Sequence, residues 1–382
     1  KRAGYESDRP RVMVRDRRTG KVSEWSKGYT GHPISLLWSP DSTMLYFNAP
    51  HHGHLELFSV TPGGVTRLTT GLYAKYPAIV GNARTLVFTN EAAHRPPEVF
   101  RMGTDGKGLR ALTRLNHWLP KKLGWQKAEH VWFEGAQGDK IHAVLIKPPG
   151  FRKGRRYPAM VMIHGGPQGM TGDSFHPRWN LQTFASRGYV VFGINFHGSV
   201  GFGQAFTDSI RGDWGGKPYR DILKGTEHLA AMRFVRPKKI CAAGASYGGY
   251  MINWIATHST RFNCLISHAG LFNMESKYGS TEELWFPEWD MKGTPWTNRA
   301  LYRKFSPHSH AENLSTPTLV IHGQKDYRVP VEQGFQMYTA LQRQGVPSRL
   351  LYFPDEDHFV QKPQNIELWW RTMWDWLGRY LK

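Results

Sequence analysis

Only two cysteines, Cys241 and Cys264, occur in 382 residues, too few for a fold held by a disulfide framework. They fall in what read as consecutive strands. A bridge between neighbouring parallel strands is geometrically awkward, so the expectation is two buried free thiols. No apolar run approaches the roughly 18 residues of a membrane span, and no membrane insertion is expected. Acidic residues are also scarce, 30 against 50 basic ones, for a net charge of +20. That surplus is spread evenly, with net +8 over residues 1–118 (17 basic, 9 acidic) and net +12 over the rest (33 basic, 21 acidic). The densest cluster, Arg152-Lys153-Gly154-Arg155-Arg156, has no interleaved aromatics. The charge therefore reads as a solvated surface and excludes a nucleic-acid partner. The chain opens on Lys1-Arg2 with neither a methionine nor a signal peptide, and the expected natural N-terminus lies upstream. Metal ligands are equally sparse. His51-His52-Gly53-His54 has no acidic or cysteine partner nearby, reads as a solvated turn, and leaves no metal or cofactor to expect.

What is present divides at about residue 118. Before it the chain repeats with a spacing of about 44 residues, the length of a four-stranded propeller blade. Arg11–Asp16 followed by Thr19-Gly20-Lys21 resembles Leu55–Val60 followed by Gly63-Gly64-Val65, and again Glu98–Met102 followed by Asp105-Gly106-Lys107. Between them, Leu37–Ser42 leads into Met44–Phe47, and Pro77–Asn82 into Thr85–Phe88. Fewer than three such units fit, whereas closed propellers usually have four to eight blades. Residues 1–118 are therefore expected to be the last blades of an incomplete β-propeller.

From 119 onward strands alternate with helices. A hairpin over Trp132–Gly135 and Ile141–Ile146 precedes strands at Ala159–Ile163, Tyr189–Ile194, Lys239–Ala243, Asn263–Ser267, Thr318–Ile321 and Ser348–Phe353. Helical spacing appears over 219–234, 331–344 and 364–380. This order gives an α/β domain over 119–382 with a mostly parallel, doubly wound sheet, whose chemistry gathers at the C-terminal strand ends.

Within it, Gly244-Ala245-Ser246-Tyr247-Gly248 has the G-x-S-x-G form of a nucleophile elbow between a strand and a helix. Composition alone yields roughly 0.2 chance matches, so partners must carry the assignment. In an α/β-hydrolase the acid and the histidine follow the serine in that order. Asp326 leaves the end of the Thr318 strand, and His358 sits between the last strand and the last helix; His268, His322, His308 and His310 all precede the acid. A serine hydroxyl needs a base to become nucleophilic. His358 is the expected base, oriented by Asp326, and the expected oxyanion donors are the Tyr247 N–H and the turn Gly165-Gly166 after His164.

The stretches Gly-Ala-Ser246-Tyr-Gly-Gly-Tyr, His164-Gly-Gly-Pro, Asn195-Phe-His-Gly-Ser-Val-Gly-Phe-Gly and Asp326-Tyr-Arg-Val-Pro resemble the prolyl oligopeptidase family of serine peptidases. Gly4–Arg9, Glu282–Trp289 and Gly293-Thr294-Pro295-Trp296 are similar to its dipeptidyl peptidase V and acylaminoacyl-peptidase branch. The resemblance implies a propeller ahead of an α/β-hydrolase, a triad on Ser246, Asp326 and His358, and short peptides as substrates. The preferred activity is release of N-terminal dipeptides with an apolar residue before the cleaved bond; acylaminoacyl-peptidase or esterase action is the alternative, and an inert binding module a distant one. Candidate pocket residues are His164, Trp285, Phe286 and Trp289. Binding a free N-terminus needs a carboxylate, for which Glu6, Glu282 and Glu283 are all available. A separate propeller segment and a second copy in a homodimer stay open as partners. The branch suggests a bacterial periplasmic location, with cytoplasm as the alternative.

Overall fold

The computed structural model of the chain describes residues 2–81 and 84–382; Lys1, and Asn82 of one repeat unit, lie outside them. The N-terminal part is all β. A short hairpin, β1 (Met13–Arg15) with β2 (Val22–Glu24), precedes two four-stranded antiparallel meanders. The first comprises β3 (Ile34–Trp38), β4 (Leu45–His51), β5 (His54–Thr61) and β6 (Gly64–Arg67); the second comprises β7 (Tyr73–Val80), β8 (Thr85–Ala92), β9 (Arg95–Gly103) and β10 (Arg110–Ala111). One ladder pair, Leu55 of β5 with Tyr73 of β7, joins them in parallel, and the Asn48 amide donates to the Ala74 carbonyl beside it.

Alternation along β4 explains the layering. Leu45, Phe47 and Ala49 face a cluster with Phe58 and Val60, whereas Tyr46 clusters with Leu57 of β5 and with Ala74, Leu86 and Phe88 of the second meander. The repeat also extends to buried polar groups. Glu56 on β5 accepts the Thr69 hydroxyl and the Gly71 N–H, and Glu98 on β9 accepts the Thr113 hydroxyl and the Asn116 N–H. The same device thus closes the third strand of each meander, because a buried carboxylate must find donors.

The remainder forms one eight-stranded sheet in the order β11-β12-β14-β13-β15-β16-β17-β18. These strands are β11 (Glu129–Glu134), β12 (Lys140–Ile146), β13 (Tyr157–Ile163), β14 (Val190–Asn195), β15 (Val235–Ala245), β16 (Leu265–His268), β17 (Thr318–Gly323) and β18 (Ser348–Phe353). β11 and β12 form the expected antiparallel hairpin, β12 pairs antiparallel to β14, and all later pairs are parallel. The helices Lys217–Ala230, Tyr247–His258 and Glu332–Arg343 contribute to the core on one face, and Leu181–Ala185 with Pro363–Leu381 to the core on the other. The central strands read as continuous apolar runs because both faces are covered. No helix among the described residues is long and apolar enough to cross a membrane.

Two expectations fail here. Cys241 and Cys264 are disulfide-bonded, not free thiols. They lie at the starts of the paired segments of β15 and β16, with Cα atoms 4.8 Å apart, inside the 4.4–6.8 Å range that a disulfide spans. The His51-His52-Gly53-His54 turn is solvated in part, with His52 exposed, but it is not partnerless. His52 stacks on Phe202, and His54 comes together with His130 and Asp173, their donor atoms within 4.8 Å of one another. Those partners come from segments 76 and 119 residues away, invisible to a local reading. Hydrogen-bond directions do not favour a metal there. The Asn195 amide pairs with both Thr171 backbone groups, which fixes its NH2 toward His142 Nδ1. His142 Nε2 must then donate to His130 Nδ1, so the proton of neutral His130 sits on the nitrogen a metal would need.

Candidate active site

Ser246 follows β15 directly and caps the Tyr247–His258 helix, with φ 60° and ψ −123°. A non-glycine residue holds such angles only when its surroundings over-determine them. Here they do. A Cβ on Gly248 would stand 2.2 Å from the Ile163 carbonyl oxygen, and one on Gly244 would stand 2.5 Å from that of Gly248. Glycine at both positions lets helix and sheet close around the serine, and the Ser246 N–H is held by the His268 carbonyl at 2.9 Å.

Asp326 lies just beyond β17, is 2% exposed, and is held by backbone. Its Oδ1 accepts the Arg328 and Val329 N–H groups at 3.0 and 2.9 Å, leaving Oδ2 for His358 Nδ1 at 2.7 Å. A carboxylate only accepts, so the His358 proton sits on Nδ1, and Nε2 keeps its lone pair for another donor. Ser246 and His358 line one cavity of about 370 Å³. A hydroxyl beside an imidazole in this tautomer can lose its proton as it attacks an acyl carbon.

The Gly165-Gly166 turn borders the same cavity. A Cβ on Gly165 would come 3.3 Å from Ser246 Cβ and 3.9 Å from its Oγ, so the turn abuts the candidate nucleophile. Tyr247 N–H is the first of its helix, where donors have no intrahelical acceptor. The Tyr247 side chain is buried against Trp214, to whose carbonyl its hydroxyl donates at 2.6 Å.

The candidate pocket residues separate. Phe286 lines the cavity with Ser246. His164 does not: it turns to the other side of the turn, stacks on Phe196 at 4.2 Å, and is kept neutral by burial, its pKa lowered to about 4. Trp285 is 45% exposed and donates to Glu6, and Trp289 stacks on Tyr5 at 4.6 Å. Of the three carboxylates, Glu6 and Glu283 line the cavity, while Glu282 lies at its outside with Arg328. Sequence reasoning missed Trp214, Gln168, Lys277 and Arg328 as cavity walls. Arg328 was within reach, two residues beyond the candidate acid; the others carry no local signature. His268 and His322 are fully buried at the ends of β16 and β17, and His322 Nε2 donates to the Val329 carbonyl, behind the acid and not in the cavity.

The sequence pattern of the prolyl oligopeptidase family matches residues 174–382. A dipeptidyl-peptidase 5 of Schizosaccharomyces pombe is 38% identical over 99% of this chain and 56% of its own length. One from Porphyromonas gingivalis is 36% identical over 100% and 57%. The chain thus spans a little over half the length of these curated relatives. Among solved structures, the acylaminoacyl peptidase of Pyrococcus horikoshii superposes with a TM-score of 0.88 at 28% identity, over 99% of this chain and 60% of that one. The matched span includes Ser246, Asp326 and His358, and the chain belongs to the prolyl oligopeptidase family.

Proposed function

We propose that this chain carries the active centre of a serine peptidase that releases dipeptides from the N-termini of short peptides. Ser246 attacks the scissile carbonyl, His358 takes its proton and later gives it to the leaving amine, and Asp326 stabilises the imidazolium. The Tyr247 N–H and the Gly165-Gly166 turn receive the oxyanion. An acyl-enzyme on Ser246 Oγ is then hydrolysed by water. No step calls for a metal or cofactor.

The observation that carries this reading is the His358–Asp326 hydrogen bond of 2.7 Å in a cavity that also contains Ser246 and two carboxylates, Glu6 and Glu283. A free substrate amine is recognised by such carboxylates. Phe286, Trp214 and Leu271 supply apolar wall for the residue before the cleaved bond. The similarity to acylaminoacyl peptidases supports a second reading, removal of blocked N-terminal residues by the same groups. Free-amine dipeptidyl amides tested against their N-acetylated forms separate the two. Faster cleavage of the free form is expected, and equal or faster cleavage of the blocked form defeats the dipeptidyl reading. An inert binding module is the distant alternative; a fluorophosphonate probe should label Ser246 and fail on Ser246→Ala.

The boundary near residue 118 separates two domains in this reading, and β3–β6 and β7–β10 are two blades of a propeller, with β1–β2 the trailing pair of another. The 44-residue repeat and the paired Glu56 and Glu98 devices support it. Two blades cannot close a ring. An intact-protein mass near 43.8 kDa, with a scattering envelope filled by this chain alone, would sink the larger propeller.

A further inference from the structure

Asn195 ends β14 fully buried, and its amide makes three hydrogen bonds. Its Oδ1 accepts the Thr171 N–H at 2.7 Å, while Nδ2 donates to the Thr171 carbonyl at 2.9 Å and to His142 Nδ1 at 2.8 Å. Both amide hydrogens are thus used. Thr171 is also pressed onto β14, where a Cβ on Gly193 would stand 2.4 Å from its Cγ2. The loop held in this way begins at the Gly165-Gly166 turn beside Ser246, and the Gly169 carbonyl between them accepts the Val200 N–H at 2.9 Å. Two adjacent glycines give the turn little stiffness of its own, so its place depends on where the loop is tied.

His142 decides whether the tie at Thr171 can persist. It lies on β12, 1% exposed, and its Nδ1 accepts from Asn195 only while it carries no proton. Its Nε2–H is committed to His130 Nδ1 at 2.9 Å, so an added proton must go to Nδ1. Asn195 would then present a donor to a donor. Turning the amide over would offer its oxygen to His142, but it would also set that oxygen against the Thr171 carbonyl and the NH2 against the Thr171 N–H. One proton on His142 is therefore incompatible with both bonds to Thr171.

The surroundings keep that proton away at neutral pH. Burial, with His130 of β11 and His52 and His54 of the turn between β4 and β5, lowers the His142 pKa to about 3. Trp132 and Phe202, which also face the ring, are uncharged, and the Asp173 carboxylate faces His54 and His130. A histidine released from this site returns to about 6.5. The released form binds the proton more tightly than the held form. The tie is thus at full strength above about pH 6.5 and weakens by up to tenfold for each unit below it, down to about pH 3.

We propose that Asn195 and His142 form an acid-sensitive latch on the loop that carries the oxyanion turn: Asn195 positions Gly165-Gly166 through Thr171, and protonation of His142 releases them. Asn195 is a positioning residue here, acting through the loop and not on the substrate. The inference rests on the peptidase reading above, including the turn as oxyanion donor, but not on which branch of it holds.

The test follows hydrolysis of p-nitrophenyl acetate by the whole chain, normalised by fluorophosphonate titration of Ser246. Asn195→Ala should lower kcat roughly 10- to 100-fold with KM within about threefold, the signature of a displaced oxyanion donor. In wild type, log kcat should fall in acid with a slope steeper than one, because protons on His358 and on His142 each stop acylation. His142→Phe keeps a ring against Trp132 and Phe202 but takes no proton, and its slope should return to one. His142→Gln, which keeps an acceptor for Asn195, should do the same and covers the case that the phenylalanine variant misfolds. Circular dichroism at each pH separates release of the latch from loss of the fold. A slope of one down to the lowest pH at which wild type stays folded would overturn the latch. So would a steep slope that survives in a folded His142 variant, or a folded Asn195→Ala with wild-type kcat. Wild-type protein that fluorophosphonate fails to label at pH 8 would instead defeat the peptidase reading, and the latch would fall with it.

Discussion

Replacing Asp326 by Asn tests the catalytic assignment most sharply, because the backbone dictates how the new amide must lie. Asp326 Oδ1 accepts two N–H groups, those of Arg328 and Val329. Only the carbonyl oxygen of an asparagine can take that place, so its NH2 group must occupy the position of Oδ2, 2.7 Å from His358 Nδ1. The imidazole is then obliged to accept at Nδ1 and carry its proton on Nε2. In that tautomer it cannot take the Ser246 proton, and it has also lost the negative charge that stabilises its cationic form. The same substitution in a comparable triad costs about four orders of magnitude in kcat, or roughly 5 kcal/mol at 1.4 kcal/mol per decade. The side chain keeps its volume, so the fold should be retained. The assay is single-turnover acylation by a chromogenic ester and an amide, with circular dichroism to verify folding. A folded Asp326→Asn variant within tenfold of wild-type kcat on both substrates would refute the assignment of Asp326, and with it the inferred role of His358.

Gly165→Ala would place a methyl group 3.1 Å from the Ala245 carbonyl oxygen and 3.3 Å from Ser246 Cβ, tight enough to displace the turn. Loss of roughly 10- to 100-fold in kcat with little change in KM is expected, and unchanged kinetics would remove this turn from the oxyanion site. Asp290 is buried, with Trp214 Nε1 donating to its Oδ2 at 3.0 Å, and burial raises its pKa to about 7. Its unfolded value is about 4, so between pH 4 and 7 the unfolded chain releases a proton that the folded chain retains. The stability this group contributes is therefore fully present below about pH 4 and lost as pH rises through 7, with a ceiling of about 4 kcal/mol. Urea unfolding at pH 4.5 and 7.5 should show Asp290→Asn gaining on wild type at the higher pH; a difference independent of pH would mean that Asp290 is ionised throughout. The bridge between Cys241 and Cys264 predicts that iodoacetamide labels neither cysteine in unreduced, unfolded protein and both after reduction. Closing a loop of this length is worth about 3 kcal/mol in the chain-entropy view, and reduction should lower the melting temperature accordingly.

The strand-turn-helix at Ser246 and the pairing of Asp326 with His358 were legible because each is tied to local chain order. Strand, G-x-S-x-G and helix occur in one continuous stretch, and Asp326 and His358 leave consecutive strands of a sheet whose alternation is plain in the sequence. The strand at Ser348–Phe353 was located to the residue, and the last helix to within one residue at each end. The cavity walls were not legible, because they converge from segments with no common pattern. Glu6 precedes every strand, Trp214 precedes the Lys217 helix, and Lys277, Glu283 and Phe286 lie between β16 and β17. Aromatic density near Trp285 marked a segment of which one aromatic residue reaches the cavity. Phe286 faces the cavity, while Trp285 and Trp289 fasten the N-terminal segment through Glu6 and Tyr5. The disulfide was missed by treating parallel neighbours as too awkward to bridge, whereas their Cα separation is well inside the permitted range.

This distribution separates two kinds of constraint. The candidate catalytic groups sit at strand ends and are held by backbone: Ser246 by its strained turn and the His268 carbonyl, Asp326 by two amides. Altering the sheet would disturb all of them together. Much of the cavity wall, Glu6, Ser7, Leu271, Lys277, Glu283 and Phe286, comes instead from the β16–β17 insertion and from the segment around Glu6. That segment is fastened to the α/β domain by Arg2 on Asp208, Tyr5 on Trp289 and Gln204 on the Ser7 carbonyl. Its attachment is made of side chains, each worth little alone, so it can change without cost to the sheet. The groups at the strand ends can therefore be kept while the carboxylates and cations of the cavity wall are exchanged. In this chain Glu6, Glu283 and Lys277 stand on the cavity wall, and none of them is placed by the turn that holds Ser246.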